Sequence, residues 1–517
     1  MRTKATFICA VAAFLLSACN SANVKESIPL PEHPRPDFER TAWVNLNGHW
    51  AFTFDEAAAQ AAITGDDLAP MDKEILVPFP WGSKLSEVED EGDVAWYGRE
   101  ITVPKSWKGK RVFLVVGASD WETTAWIDGK EIGSHQGGYI PFEFELEGAA
   151  PGSTHRIVLK ADDTYSKAHL YGKQGYGNAR GIWQTVYLEA RGENFIKSIH
   201  FTPDIDASAV KVDVVLDSPA AEGETFELEF KTGGQKTFTG DIGGKDCASF
   251  TVPLDGQHLW DLDDPFLYEV KARVGKQDEV STYFGQRKIG VEKLPGTEYP
   301  YVALNGKPVY LQLCLDQSYH PEGFYTFPSD EFMKNEILLS KNLGLNGNRI
   351  HIKVEVPRKL YWADKLGLLI MADTPNFWGE PVPEAREDWE RCLRGQVERD
   401  YNHPSIFAWV NFNETWGLKT GGEYLTETQE WVREMYKLTK SLDPSRLVED
   451  NSPCNNDHVE SDINSWHAYR RGYVWEETIK EYCDNTYPGS AFNYIGGNLQ
   501  NGVSMIHSQC GDGWGYQ

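Results

Sequence analysis

An amide and a carboxylate stand side by side at Asn413 and Glu414. They close the stretch Ile406-Phe407-Ala408-Trp409-Val410-Asn411-Phe412-Asn413-Glu414, which Thr415-Trp416-Gly417 follows. A glutamic acid can deliver or accept a proton, and an amide can hold a hydroxyl by donating and accepting at once. The apolar run from Ile406 to Val410 is preceded by Asn402-His403-Pro404, which stops a helix and biases the chain toward extended backbone. The reading is a buried strand whose polar residues begin only at its C-terminal end. Parallel barrels build their active sites at that end of their strands. An ordinary strand exit would also be polar, so the surrounding elements decide between the two.

Those elements fall into three kinds. From Phe38 to Arg191, short alternating strands such as Arg111-Val112-Phe113-Leu114-Val115-Val116 and Thr123-Thr124-Ala125-Trp126-Ile127 are separated by turns, predicting a jelly-roll-like β-sandwich over 38–191. A second strand-rich unit, 192–292, has the length of an immunoglobulin-like β-sandwich without its Cys pair. From 293 onward strands alternate with helices. Val309–Leu315, Leu345–Ile352, Leu368–Met371, the opening stretch, Leu447-Val448, Ile463–Trp466 and Val503–His507 read as seven strands of a (β/α)8 barrel. Ser329, Pro357 and Gly367 mark helix ends between them. No eighth strand follows within 293–517, so the expectation is a C-terminally truncated barrel, from a fragment or a shortened reading frame.

The 517 residues carry 50 basic and 77 acidic side chains, a net charge of −27, which argues against a nucleic-acid partner. Residues 1–19 pair Arg2 and Lys4 with the apolar run Ala5 to Leu16 and end Leu-Ser-Ala-Cys. This reads as a secretory signal resembling a bacterial lipoprotein leader, with Cys19 acylated and 20–37 as tether; a cleaved leader without lipid is the alternative. The implied place is the bacterial cell envelope, with membrane contact only through that anchor. Cys247, Cys314, Cys392, Cys454, Cys483 and Cys510 are scattered and indicate neither a disulfide framework nor a metal site.

The domain order, together with Gly181-Ile182-Trp183, Leu304-Asn305-Gly306-Lys307-Pro308, Gly344 to His351, Asp364 to Leu369 and Asn402 to Glu414, resembles glycoside hydrolase family 2, which includes β-galactosidases, β-glucuronidases and β-mannosidases. The resemblance implies retaining hydrolysis of β-glycosides, which uses an acid/base and a nucleophilic carboxylate about 5–5.5 Å apart. It makes Glu414 the acid/base, with its proton favoured by apolar neighbours such as Trp409 or Trp416 and a nearby negative charge, and Asn413 the partner of the sugar's 2-hydroxyl. It places Arg349 and His351 in the sugar pocket, although the family usually spaces them one residue further apart. His467 and Tyr469 fall where the family carries a tyrosine supporting the nucleophile. Asp162 matches an acidic residue that some members extend from the first sandwich. Metal-binding members carry acidic and His ligands after the third strand; Asp373-Thr374-Pro375-Asn376-Phe377-Trp378-Gly379 lacks them, so neither metal nor other cofactor is expected.

The nucleophile position departs from the family. Where Ser-Glu is expected this chain reads Ser508-Gln509-Cys510-Gly511. A glutamine amide carries no charge to balance an oxocarbenium ion and is a poor nucleophile. Asp512 lies three residues further with a shorter side chain, and Cys510 is nucleophilic in principle but reads as a packed thiol. The expectation is a family 2 glycosidase that does not turn over. The alternatives are a non-catalytic carbohydrate-binding surface lipoprotein and a purely structural surface protein.

Overall fold

The computed structural model describes residues 28–453, 456–470 and 472–509. The leader with Cys19, the first part of the tether, Cys454, Cys510, Asp512 and the side chain of Gln509 lie outside the described residues, as does any chain past 509.

Alternation of apolar and polar residues makes two stacked sheets of the first unit. A six-stranded sheet runs Lys73–Val77, Gly48–Thr53, Val94–Thr102, Thr154–Asp162, Glu122–Ile127, Lys130–Gln136. A four-stranded sheet runs Trp43–Asn45, Val186–Arg191, Arg111–Val116, Phe142–Glu145. Between them pack Trp50, Phe52, Tyr97, Leu114, Leu159 and Leu188. Gly181 has φ +67, and a Cβ there would lie 2.1 Å from the Trp81 ring and 2.4 Å from the Tyr97 hydroxyl. Two residues on, Trp183 leaves the sandwich and packs among barrel residues. The Gly-Ile-Trp string is thus a tight crossing followed by an anchor.

The second unit stacks Ile196–Asp204, Ala209–Leu216 and Cys247–Pro253 on a four-stranded sheet, Phe238–Asp241, Thr225–Phe230, Tyr268–Val274 and Asp278–Phe284. Arg40 clamps it to the first, donating to Glu189 of one sandwich and Asp278 of the other, both at 2.9 Å. A cavity of about 290 Å³ at this three-way junction is lined by such paired charges and contains none of the expected site residues.

In the third unit five parallel strands follow one another: β1 (Leu313–Asp316), β2 (Gly347–Ile350), β3 (Leu369–Asp373), β4 (Ile406–Asn413) and β5 (Leu447–Ser452). Strands β6 (Ile463–His467) and β7 (Ser504–Gln509) pair in parallel with each other. Two backbone bonds tie β6 to β5: Asp462 N to Val448 O and His467 N to Pro453 O, both 2.9 Å. Helices α1 (Asp330–Asn342), α2 (Pro357–Leu366), α3 (Pro383–Asp400), α4 (Thr426–Leu442) and α5 (Trp475–Asn485) complete the alternation. Ser329 caps α1 through Phe332 N, and Gly367 ends α2 in the left-handed region at φ +71.

The first barrel strand is shorter than expected. Lys307-Pro308 turns back on Pro300–Leu304 as a hairpin, so the chain enters the parallel sheet only at Leu313. Strand β4 is buried along its whole length because both faces are covered. Val410 and Ala408 face an interior of Met371, Leu447 and Ile463, while Ile406 and Phe412 meet helix residues Trp389 and Trp431.

Asp364, at the end of α2, joins the second unit to the barrel. Its carboxylate accepts from Tyr283 Oη at 2.8 Å, His403 Nδ1 at 2.6 Å and Ser405 N at 2.9 Å. Burial disfavours the charged His403 ring, but Asp364 beside it wins and raises its proton affinity above the usual value. Asp364→Ala leaves the buried His403 ring, the Tyr283 hydroxyl and the Ser405 amide without their carboxylate acceptor, so we expect it to cost about 3–5 kcal/mol in urea unfolding followed by tryptophan fluorescence. A loss below about 1 kcal/mol, the scale of an exposed pair, contradicts the role assigned to this carboxylate.

Candidate active site

Strand β4 ends in an unusual turn. Glu414 and Thr415 both have positive φ, +51 and +59, although neither is glycine. Such backbone costs about 1–2 kcal/mol per residue and needs outside support. Strand β5 and the segment after it supply that support. Glu414 N donates to Ser452 O at 2.9 Å, Thr415 N to Asn451 Oδ1 at 3.1 Å, and the Thr415 hydroxyl to Asp457 at 2.5 Å. The turn departs abruptly from the strand direction at Glu414, whose side chain is 14% exposed.

Below it sits Arg349, at the C-terminal end of β2 and only 1% exposed. Its Nε and Nη2 pair with the two oxygens of Asp373, at 3.1 and 2.8 Å. Nη2 also donates to Asn413 Oδ1 at 2.8 Å, and Nη1 to His467 Nε2 at 3.3 Å. Because a guanidinium has only donors, His467 Nε2 must be the acceptor, and its proton is on Nδ1. That Nδ1–H donates to Glu414 Oε1 at 2.7 Å. Burial, with Arg349 adding to it, depresses the His467 pKa to about 4, and the Glu414 hydrogen bond only partly offsets this. The ring is therefore neutral near pH 7. Burial likewise raises Asp373 to about 6 against the pull of Arg349, so it is mainly ionised at neutral pH.

The unit thus holds Glu414 by one oxygen; Oε2 has no hydrogen bond among the described residues. Asn413 Nδ2 is buried and makes no well-formed hydrogen bond there, with the His351 ring beside the amide. A carboxyl oxygen and an amide N–H are available together beside a fixed cation. Such an arrangement can protonate an oxygen and hold a neighbouring hydroxyl.

Of the residues singled out in the sequence, Glu414, Asn413, Arg349 and His467 come together. His351 is also buried, its Nδ1 3.0 Å from Gln317 Oε1, and burial, together with Arg349, keeps its pKa well below the usual value. Position 509 stands in register with His467. Tyr469, two residues past His467, is 56% exposed. Asp162 is occupied locally, accepting from Thr164 Oγ1 at 2.7 Å and Lys160 Nζ at 3.1 Å. Trp409 is not beside Glu414 as a wall, since its indole donates to Asp443 at 2.9 Å.

The first sandwich reaches the barrel mouth through another residue, Lys173. Its Nζ lies 4.4 Å from the centroid of Trp416. Gln317, Ser452 and Asp373 were also missed. Asp373 had a usable signal, being a carboxylate at the C-terminal end of a buried strand, as Glu414 is. Lys173 had none, because it lies in an irregular crossing. Among the described residues no group of three or more His, Cys, Asp or Glu side chains could hold a metal ion.

Three family models match in chain order. They are the sugar-binding domain of glycosyl hydrolases family 2 over residues 43–191, glycosyl hydrolases family 2 over 194–287, and the family 2 TIM barrel domain over 300–496. The chain belongs to glycosyl hydrolase family 2. A β-galactosidase of Thermoanaerobacter pseudethanolicus is 24% identical over 435 residues, 78% of this chain and 53% of that protein. A β-glucuronidase of Bacteroides fragilis is 25% identical over 90% of this chain and 69% of its own length. The chain thus spans about half the length of the first of these relatives. A family 2 β-galacturonidase of Eisenbergiella tayi has the same fold, with a TM-score of 0.74 at 23% identity, covering 93% of this chain and 83% of that one.

For this family 2 pocket the tautomer and charge of His467 are measurable. Nitrogen-15 NMR should find a neutral imidazole protonated on Nδ1 at pH 6, titrating near pH 4. A midpoint near the ordinary value of 6.5 would show that Arg349 and burial do not control the ring.

Proposed function

We propose that this chain binds β-glycosides on the plan of a retaining exo-β-glycosidase, and that Gln509 stops it short of turnover. Glu414 takes the acid/base position, Asn413 the contact to the sugar hydroxyl beside the scissile bond, and Arg349 with His467 the floor that orients both. The observation that carries this reading is the convergence of Glu414, Asn413 and His467 on one buried guanidinium, with position 509 level with His467 on the neighbouring strand.

The chemistry divides along that line. Proton donation by Glu414 Oε2 to the glycosidic oxygen needs only groups this chain has. The other half is attack on the anomeric carbon by a carboxylate, whose charge also balances the developing oxocarbenium ion. An amide at 509 gives neither a covalent glycosyl intermediate nor that charge. The pocket therefore holds an intact glycoside. The names of the relatives put galactosides, glucuronides and galacturonides first in any panel, with mannosides after them.

Hydrolysis of 4-nitrophenyl β-glycosides separates the two halves. The native chain should show no enzymatic turnover, whereas Gln509→Glu should release nitrophenol with a burst, the signature of an accumulating covalent intermediate. Native turnover at ordinary enzyme rates, about 1–10³ per second, would overturn the assignment of position 509.

A further inference from the structure

The crossing segment 163–180 leaves the strand Thr154–Asp162 of the first sandwich and reaches over the barrel before returning to Gly181-Ile182. Its position is fixed closely. Tyr171 N and Gly172 N both donate to Asn376 O at 3.0 Å, Trp378 Nε1 donates to Gly172 O at 2.9 Å, and Gly379 N donates to Lys167 O at 2.8 Å. Gly172 lies so close that a Cβ would stand 2.5 Å from Ile352 O, and its φ is +57. The next residue is Lys173, half-buried and placed over the Trp416 ring.

The surroundings of this lysine differ from those of the other inward-facing lysines. Lys341 donates to three backbone carbonyls, those of Leu262, Leu366 and Gly367. Lys353 reaches Ser318 and Tyr325, and Lys359 reaches Asp316 and Glu355. Lys173 has neither an ion pair within 4 Å nor a hydrogen bond among the described residues, although it is near enough to Glu414 to feel its charge. Holding an ammonium partly away from water without an anion is costly, and the cost is recovered when an anion arrives.

The position also says which part of a ligand would meet it. Arg349, Asn413 and His467 are buried and form the floor. Lys173 lies with Trp416 and Trp378 at the rim, where Trp378 is 39% exposed and stands 4.8 Å from Trp416 at an interplanar angle of 32°. In a pocket that takes a chain end, the floor receives the terminal sugar and the rim receives the group across the scissile bond.

We propose that Lys173, with the Trp378–Trp416 wall, forms a leaving-group-side subsite that selects β-glycosides carrying an anionic substituent, a carboxylate or a sulfate ester, on the sugar across the scissile bond. This rests on the reading of the Glu414 pocket as a glycoside site. The partly exposed Trp378 ring, backed by Trp416, packs on the apolar face of that sugar, and the ammonium, delivered by the sandwich and resting on Trp416, reads its charge. The first sandwich is then part of the specificity apparatus as well as a support.

Calorimetry on the full chain tests this without requiring turnover. The ligands are β-linked disaccharides with galactose, mannose, glucuronic acid or galacturonic acid at the non-reducing end. Each carries glucose, glucuronate or 6-sulfoglucose at the reducing end. Glucuronate or 6-sulfoglucose should bind about tenfold tighter than glucose, with the margin shrinking at high salt. The two anionic arms show whether carboxylate or sulfate is preferred. Lys173→Met should erase the margin between anionic and neutral ligands without lowering the melting temperature, and Lys173→Arg should retain much of that margin. Binding with no charge preference, or a preference that survives in Lys173→Met, overturns this inference and leaves the glycoside pocket standing. If no disaccharide binds, both fall.

Discussion

A guanidinium sealed inside a barrel must be matched almost completely, because an unpaired buried charge costs several kcal/mol. Arg349 meets that condition with Asp373 on two nitrogens, Asn413 on one of them and His467 on the third. These partners come from β3, β4 and β6, so one side chain fixes the relative placement of four strands. It also fixes chemistry. Occupying Nε2 of His467 sends the imidazole proton to Nδ1 and from there to Glu414. Occupying Asn413 Oδ1 turns its N–H side away from Arg349, where it makes no well-formed hydrogen bond and has the His351 ring beside it. The orientation of the groups that would touch a sugar is thus a consequence of satisfying one buried cation.

The same economy extends to the domain boundaries. Asp364 gathers Tyr283 of the second unit with His403 and Ser405 at the entrance to β4, so the strand that carries Glu414 is anchored at its lower end by an interdomain carboxylate. Arg287 of the second unit also donates to Pro404 O and Ile406 O along that entrance. At the upper end the crossing from the first sandwich lies on Asn376 and Trp378. Both β-units therefore bear on the barrel strand that carries Asn413 and Glu414, which explains why motifs such as Gly-Ile-Trp and Asn-His-Pro sit far from those two residues.

Much of this was legible in the sequence. The opening stretch read correctly as a buried strand ending in Asn413 and Glu414, because apolar continuity and a helix-stopping Pro are local signals. The alternation that gave two sandwiches and a barrel is local too. What was not legible depended on encounters between distant segments. Glu414 and Thr415 adopt left-handed backbone without a glycine to announce it, since the support comes from Ser452, Asn451 and Asp457. Asp162 was singled out because it matches an acidic residue that some family members extend from the first sandwich; its neighbours Lys160 and Thr164 hydrogen-bond it, and the approach of Lys173 from the same sandwich to Trp416 had no sequence signal. The first barrel strand begins late because Lys307-Pro308 is paired in a hairpin, a competition for hydrogen bonds that alternation alone cannot reveal.

Gln509 gives the molecule its particular interest: under the proposed function a carboxyl group, Glu414, and an amide residue, Gln509, take the two positions where a retaining glycosidase uses two carboxylates. The most direct measurement is a crystal structure of the native chain soaked with a β-linked disaccharide. It should show an uncleaved sugar in the pocket, with a ring hydroxyl within hydrogen-bonding distance of Asn413 Nδ2 and the glycosidic oxygen facing Glu414 Oε2. A cleaved sugar, or an intact one bound only away from Arg349 and Glu414, would contradict it.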